Sequence, residues 1–283
     1  VMSPFYNDHT AYGAALAMFI PAAFGFIFYP GATKSSRLLA LILSAILIVG
    51  IIFSYGRAAW ISIIVAFIVF ILILLRIKFY IIAATFMLFV GTFFIFQHQI
   101  LDKLSKNKQD SSANFVEHIQ SITNISSDAS NLERINRWQA AIRLYNERPF
   151  LGWGPGTYQF VYSPFQSSQE KTIISTNLGD KGNAHSEYLG PLSEMGVLGS
   201  ALIILLIVYF IITGLRVYKN GTNEIKFLCM ITLLGLITYF THGFLNNFLD
   251  TDKLSVPVWG FIAIIVALDI YHKPKDNPSS IDG

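Results

Sequence analysis

The sequence predicts an all-α polytopic membrane protein, with about seven transmembrane helices and one large, partly helical loop domain on a single face. Three observations lead there. Of 283 residues, 53% are hydrophobic and only 13% charged, whereas a soluble domain carries about 25% charged residues. The apolar residues gather in runs of bilayer length, roughly 17–25 residues. One interval, 97–195, is instead long and polar. The runs are read as helices because lipid leaves the backbone no partner outside a helix or a closed barrel. They are too long and too uniformly apolar for barrel strands.

In order, the spans are 11–29, 38–55, 58–75, 79–96, 196–214, 226–245 and 255–271. The third and fourth, AAWISIIVAFIVFILILL and FYIIAATFMLFVGTFFIF, hold no charge at all. The sixth and seventh carry polar residues. The chain thus divides into 1–96 with helices one to four, a loop domain over 97–195, 196–271 with helices five to seven, and a tail from 272 to 283. Lys34 and Arg37, Arg76 and Lys78, Arg216, Lys219 and Lys226, and Lys273 and Lys275 all fall on one face. The positive-inside bias makes that face cytoplasmic. The short loops opposite hold only Arg57 and Lys253, and the long loop domain lies on their side. Val1 is not an initiator methionine and no signal peptide precedes the first span, so we expect the C-terminal part of a longer protein. The tail KPKDNPSSIDG reads as disordered.

The net charge of +3, without a basic stripe, gives no footprint for nucleic acid. The single cysteine, Cys229, cannot form a disulfide within the chain or anchor a cysteine metal site. His9, His185 and His242 share no metal-ligand spacing, so no metal site and no cofactor is expected.

Within the loop domain the opening KLSKNKQDSSANF is polar and unpatterned. A helix is expected from Ser130, which has capping-box spacing to Glu133. Leu132, Ile135, Trp138, Ile142 and Tyr145 then recur at helical spacing as an apolar stripe expected to face the core, and Pro149 ends the helix. Arg134 borders that stripe, Arg137 sits further round, and Arg143 and Arg148 are read as solvated. The stretch GWGPGTY has neither a preceding strand nor a GK[ST] ending, so it reads as a turn rather than a nucleotide loop.

Candidate site residues collect at the outer membrane boundary. Arg57, in SYGRAAW, either snorkels to lipid phosphate or serves a site, the default for an ionisable residue at a span. Arg134 and, more weakly, Arg137 are cations on the loop helix. His185 either caps and meets solvent or works as an acid–base group with Glu187 beside it. Glu194 is read as a carboxylate favouring the positive end of the fifth span.

Three blocks, SYGRAAWISIIVAF, ERINRWQAAIRLYNERPFLGWGPGTY and NAHSEYLGPLSEMGVLG, resemble successive motifs of the O-antigen ligase family. The matching positions are Arg57 with Trp60, Arg134 with Trp138, Pro149 with Gly152 and Gly154, His185 with Leu189, and Glu194 with Gly196 and Gly199. Ser186 stands where the family usually has Asn, and the family's N-terminal spans are absent. The resemblance implies a multi-pass bacterial inner-membrane glycosyltransferase with its site on the periplasmic face and a periplasmic loop domain. It implies a glycan donor on undecaprenyl diphosphate, and a lipid A-core or glycan acceptor. It also implies transfer without a metal ion. Arg57, Arg134 and Arg137 would bind the diphosphate, since guanidinium forks pair bidentately with phosphate and stay charged. His185 would take the acceptor's proton, an imidazole being suited to that near neutral pH, with Glu187 orienting it; direct attack would invert the anomeric centre.

Ligase and polymerase are not separated by these residues. A lipid-linked sugar transporter or flippase is the rival from another class, but it should carry mid-span polar residues, and spans two to five are nearly pure hydrocarbon. A non-catalytic scaffold would leave Arg57 without a role.

Overall fold

The structure, a computed structural model, describes residues 5, 6, 8–77, 129–167 and 182–272. The regular elements among them are all helical: α1 (His9–Ile27), α2 (Lys34–Ser54), α3 (Arg57–Leu74), α4 (Ala129–Glu147), α5 (Tyr158–Val161) with the 3₁₀ turn Ser163–Phe165, α6 (Leu189–Asn220), α7 (Asn223–His242) and α8 (Asp252–Tyr271). Six of these, α1 to α3 and α6 to α8, are long and apolar enough to cross a bilayer. The chain is a polytopic helical membrane protein. The expected span 79–96, the polar start of the loop domain and the tail lie outside the described residues.

Two helix ends differ from the hydropathy reading. Helix α6 runs on to Asn220 and takes in Arg216 and Lys219, beyond the expected span end at 214. Hydropathy marks where lipid ends, whereas Arg and Lys are good helix formers and let the helix continue. Helix α7 stops at His242, short of the expected 245. At Gly243 the backbone turns its carbonyl to the amide of Glu187, 2.8 Å away.

The chain separates into two compact units. The first comprises 1–67, 201–242 and 248–283. Here α1 packs on α2 and α7 through small residues, as membrane helices do when hydrophobicity alone cannot hold them together. A Cβ on Gly13 would stand 3.0 Å from Ser54 Oγ, and one on Gly25 would meet Ile231 Cγ2 at 2.5 Å. Leu38, Leu39, Leu41 and Ile42 of α2 are exposed, as suits residues bathed in lipid. Val217, Ile225, Cys229 and Leu268 form a separate buried cluster. Cys229 Sγ donates to Gly214 O at 3.1 Å, which is a packing role.

The second unit comprises 68–200 and 243–247. Its core is Ala141, Leu144, Tyr158, Tyr162 and Ala184, with Trp153, Phe165 and Leu189 packed against it. Helix α4 is rotated from its expected setting. Its buried face carries Glu133, Asn136, Arg137, Ala140, Ala141 and Leu144, while Leu132 is 36% and Ile142 44% exposed. At 3.6 residues per turn these two faces are roughly opposite. The core side is built from small alanines and a self-neutralising charge pair, neither of which registers as a hydrophobic stripe.

Candidate functional site

In the first unit, Arg57 opens α3 directly after a tight turn. Tyr55 takes a left-handed backbone (φ 50) as the C-cap of α2. The Gly56 carbonyl then accepts from Ala59 N at 2.9 Å and Trp60 N at 3.2 Å. The Trp60 indole donates to Ile51 O at 3.2 Å, and so pins the first turn of α3 to the last turn of α2. Arg57 therefore adds a full positive charge to a helix end that already carries about half a unit.

In the second unit, the motifs Pro149-x-x-Gly152-x-Gly154 and Glu194-x-Gly196 prove to be two halves of one clasp. Trp153 N donates to Ser193 O at 3.2 Å, Gly154 N to Glu194 O at 2.7 Å, and Val197 N to Pro149 O at 2.8 Å. The Glu194 carboxylate closes it: Oε2 accepts from Gly156 N and Oε1 from Tyr158 N, each at 2.9 Å. Glu194 thus grips the glycine-rich turn and does not merely bias the dipole of the following span. Helix α6 is non-helical at Gly196 (φ 64, ψ −166), so its long membrane portion begins at Val197, whose N–H the Pro149 carbonyl satisfies. Gly152 also has positive φ (66). A Cβ on Gly152 would strike the Glu194 carbonyl, and one on Gly196 the Phe150 carbonyl. Only glycine meets both demands.

Of the α4 cations, Arg137 is 4% exposed. Its Nε donates to Glu133 Oε1 at 2.7 Å, and its guanidinium lies 4.1 Å over the Tyr162 ring. Tyr162 stacks on Tyr158, whose hydroxyl donates to Arg137 O at 2.8 Å. Burial lifts the Tyr158 phenol far above its ordinary range, with the Arg137 charge opposing in part. Arg137 thus anchors α4 in its core. Arg134 is half-buried and donates from Nε to Leu245 O at 3.2 Å. Arg143, read as solvated, instead ties α4 to the 3₁₀ turn, donating to Phe165 O at 2.8 Å and to Gln139 Oε1 at 3.0 Å.

His185 is joined to the same helix. The Trp138 indole, one turn beyond Arg134, donates to His185 O at 3.2 Å. His185 has a left-handed backbone (φ 48), and its amide donates to Asn183 Oδ1 at 3.1 Å. Ser186 then caps the helix that follows: its buried Oγ accepts, at long range, from Tyr188 N (3.3 Å) and Leu189 N (3.4 Å). Ser and Asn are comparable helix caps, so serine keeps the local geometry that asparagine would give. Glu187, at the start of this helix, donates from its amide to Gly243 O. The neighbouring Tyr188 phenol is pushed up to about 12, first by burial and then by the Glu187 charge, and its ring packs on Phe244 at 4.4 Å.

The structure thus gathers Arg134, Trp138, His185 and Glu187 in one unit, with Arg137 buried in its interior as an anchor, while Arg57 belongs to the other. Among the described residues no group of three or more His, Cys, Asp or Glu side chains assembles as a metal cage. Sequence reasoning missed the clasp and the segment 243–247. Two glycine motifs of similar spacing hinted at the clasp; nothing in FLNNF announced a partner.

Six helices of bilayer length and a compact unit that ties an arginine helix to a histidine turn make this a polytopic helical membrane protein. The family model described as O-antigen ligase matches residues 39–204. This chain belongs to the O-antigen ligase family. Such enzymes imply a lipid-linked glycan and an acceptor. No curated protein matches the chain.

Proposed function

We propose that the protein is an inner-membrane glycosyltransferase that moves a glycan from undecaprenyl diphosphate to an acceptor hydroxyl, with its site on the periplasmic face. The observation that carries this reading is the Trp138 bond to His185 O. It holds the arginine helix against the histidine turn, which supports reading the two as one site in a chain of the O-antigen ligase family.

In this reading His185 accepts the proton of the acceptor hydroxyl as that oxygen attacks the anomeric carbon. The bond from that carbon to the phosphate oxygen breaks, the centre inverts, and undecaprenyl diphosphate leaves with the electron pair. Arg134 serves the diphosphate, where negative charge grows as the bond breaks; for Arg57 the family motif alone suggests the same role. Arg137, sequestered by Glu133 and Tyr162, contributes by fixing the helix that bears Arg134. Glu187 acts on His185 as an orienting carboxylate from the start of the adjoining helix.

The test is transfer in detergent by the full-length protein from lipid-diphosphate glycan, with a lipid A-core acceptor in one arm and glycan alone in another, each with and without EDTA. Product on the first acceptor makes it a ligase, and elongated glycan a polymerase. Tight donor binding without transfer in either arm would favour a carrier and overturn the reading. Cysteine labelling at Phe160 from the outer side and at Asn223 only after permeabilisation checks the orientation; the opposite pattern puts the site in the cytoplasm.

A further inference from the structure

Two side-chain amides in the segment that follows α7 hold buried atoms that meet no partner among the described residues. Asn246 is 3% exposed, and among the described residues its Nδ2 meets no hydrogen-bond acceptor. The adjacent Asn247 has a buried Oδ1 that meets no donor. Buried polar groups are nearly always paired, and an exception calls for a reason. A leucine of similar size would avoid the desolvation cost, so the fold itself has no evident use for an amide here.

The surroundings supply a reason. Segment 243–247 belongs to the compact unit that holds α4 and the histidine turn. It is tied in at three successive residues. Gly243 O accepts from Glu187 N at 2.8 Å, the Phe244 ring packs on Tyr188, and Leu245 O accepts from Arg134 Nε at 3.2 Å. Asn246 is the next residue along. The segment therefore touches both the arginine assigned to the diphosphate and the residue, Glu187, assigned to orient the base.

We propose that Asn246 and Asn247 bind the first sugar of the donor glycan, with Asn246 the principal specificity-determining residue. The pair offers a donor and an acceptor from adjacent positions, and a sugar hydroxyl can answer both. A phosphate oxygen accepts only, and the Asn247 oxygen would repel it. This rests on the glycosyltransferase reading above.

The experiment uses the full-length protein with Asn246→Leu, which keeps the volume without the amide, and Asn246→Ala. Three quantities are read: kcat/KM with lipid-diphosphate glycan, inhibition by sugar-free undecaprenyl diphosphate, and thermal stability without ligand. Loss of one buried hydrogen bond to the sugar should lower kcat/KM roughly 5–30-fold in both variants. Inhibition by the sugar-free lipid should stay within about twofold of wild type, and the leucine variant should melt no lower than wild type, because the Asn246 Nδ2 has no partner among the described residues to lose. Unchanged kcat/KM, or a melting point that falls in the leucine variant, overturns the proposal and makes Asn246 structural. Inhibition that weakens as much as kcat/KM overturns the sugar assignment in favour of the diphosphate. If wild type transfers nothing, the glycosyltransferase reading itself fails; if wild type transfers and the variants match it, only this proposal does.

Discussion

Replacing Glu194 with alanine removes both side-chain bonds of the clasp, and the structure sets the size of the effect. Glu194 Oε1 and Oε2 accept from Tyr158 N and Gly156 N at 2.9 Å. A hydrogen bond to a charged group contributes about 1.5–3 kcal/mol. Tyr158 is 2% exposed, so its amide loses that amount in full, whereas the exposed Gly156 recovers part of it from water. The sum is about 2–4 kcal/mol of local opening free energy, or roughly 30–1000-fold in amide exchange at about tenfold per 1.4 kcal/mol. Hydrogen exchange followed by mass spectrometry on a peptide covering 154–162 reads it directly, since exchange reports local opening. Glu194→Gln should fall between, because its amide offers one acceptor and turns a donor toward the other N–H. A carboxylate that merely favoured a helix dipole would contribute about 0.3–1 kcal/mol. Acceleration of less than about fivefold in the alanine variant would therefore refute the clasp.

Four further outcomes are expected. Gly152→Ala forces a side chain into positive φ and onto a main-chain carbonyl, so folding stability should fall by well over the roughly 1 kcal/mol of an ordinary glycine change; wild-type melting would contradict this. Glu133→Gln leaves the Arg137 charge buried and should cost about 3–5 kcal/mol in melting experiments, most of it restored by adding Arg137→Met; no restoration would mean that the pair does not act as a unit. His185→Asn, chosen because asparagine tolerates the left-handed backbone that alanine does not, should cut turnover by about 10²–10⁴-fold with donor binding kept; turnover within a few-fold of wild type would remove His185 from the chemistry. Arg57→Lys keeps the charge but loses the planar fork, so transfer should drop at unchanged melting temperature; full activity would leave Arg57 a lipid anchor.

The membrane helices were legible because hydrocarbon imposes length and apolarity on a single chain segment without reference to any other. The fifth span was expected from residue 196, and the backbone breaks at Gly196. The place of Arg57 at the start of α3 was legible for the same reason, since it follows from where that apolar run begins. The facing of α4 was not. Its core side holds Glu133 and Arg137, which bury well only because each neutralises the other, and no count of apolar residues detects that. The clasp was hidden for a related cause: most of its bonds are between main-chain atoms some 40 positions apart, as with Trp153 N and Ser193 O, and main-chain atoms are the same in every sequence. Asn246 escaped notice because α7 was expected to run almost to it, whereas the helix ends at His242.

The clasp also constrains how this protein can evolve. Where glycine makes room for a side chain, as Gly25 does for Ile231, a substitution can be repaired by a second one that shortens the opposing residue. At Gly152 and Gly196 the opposing atoms are the peptide carbonyls at Glu194 and Phe150. No codon encodes a smaller carbonyl. A genetic selection for revertants of Gly25→Ala should therefore find suppressors at Ile231, while one starting from Gly196→Ala should return only the original glycine. Lineages can drift at the first kind of position in coupled pairs; at the second they are held in place.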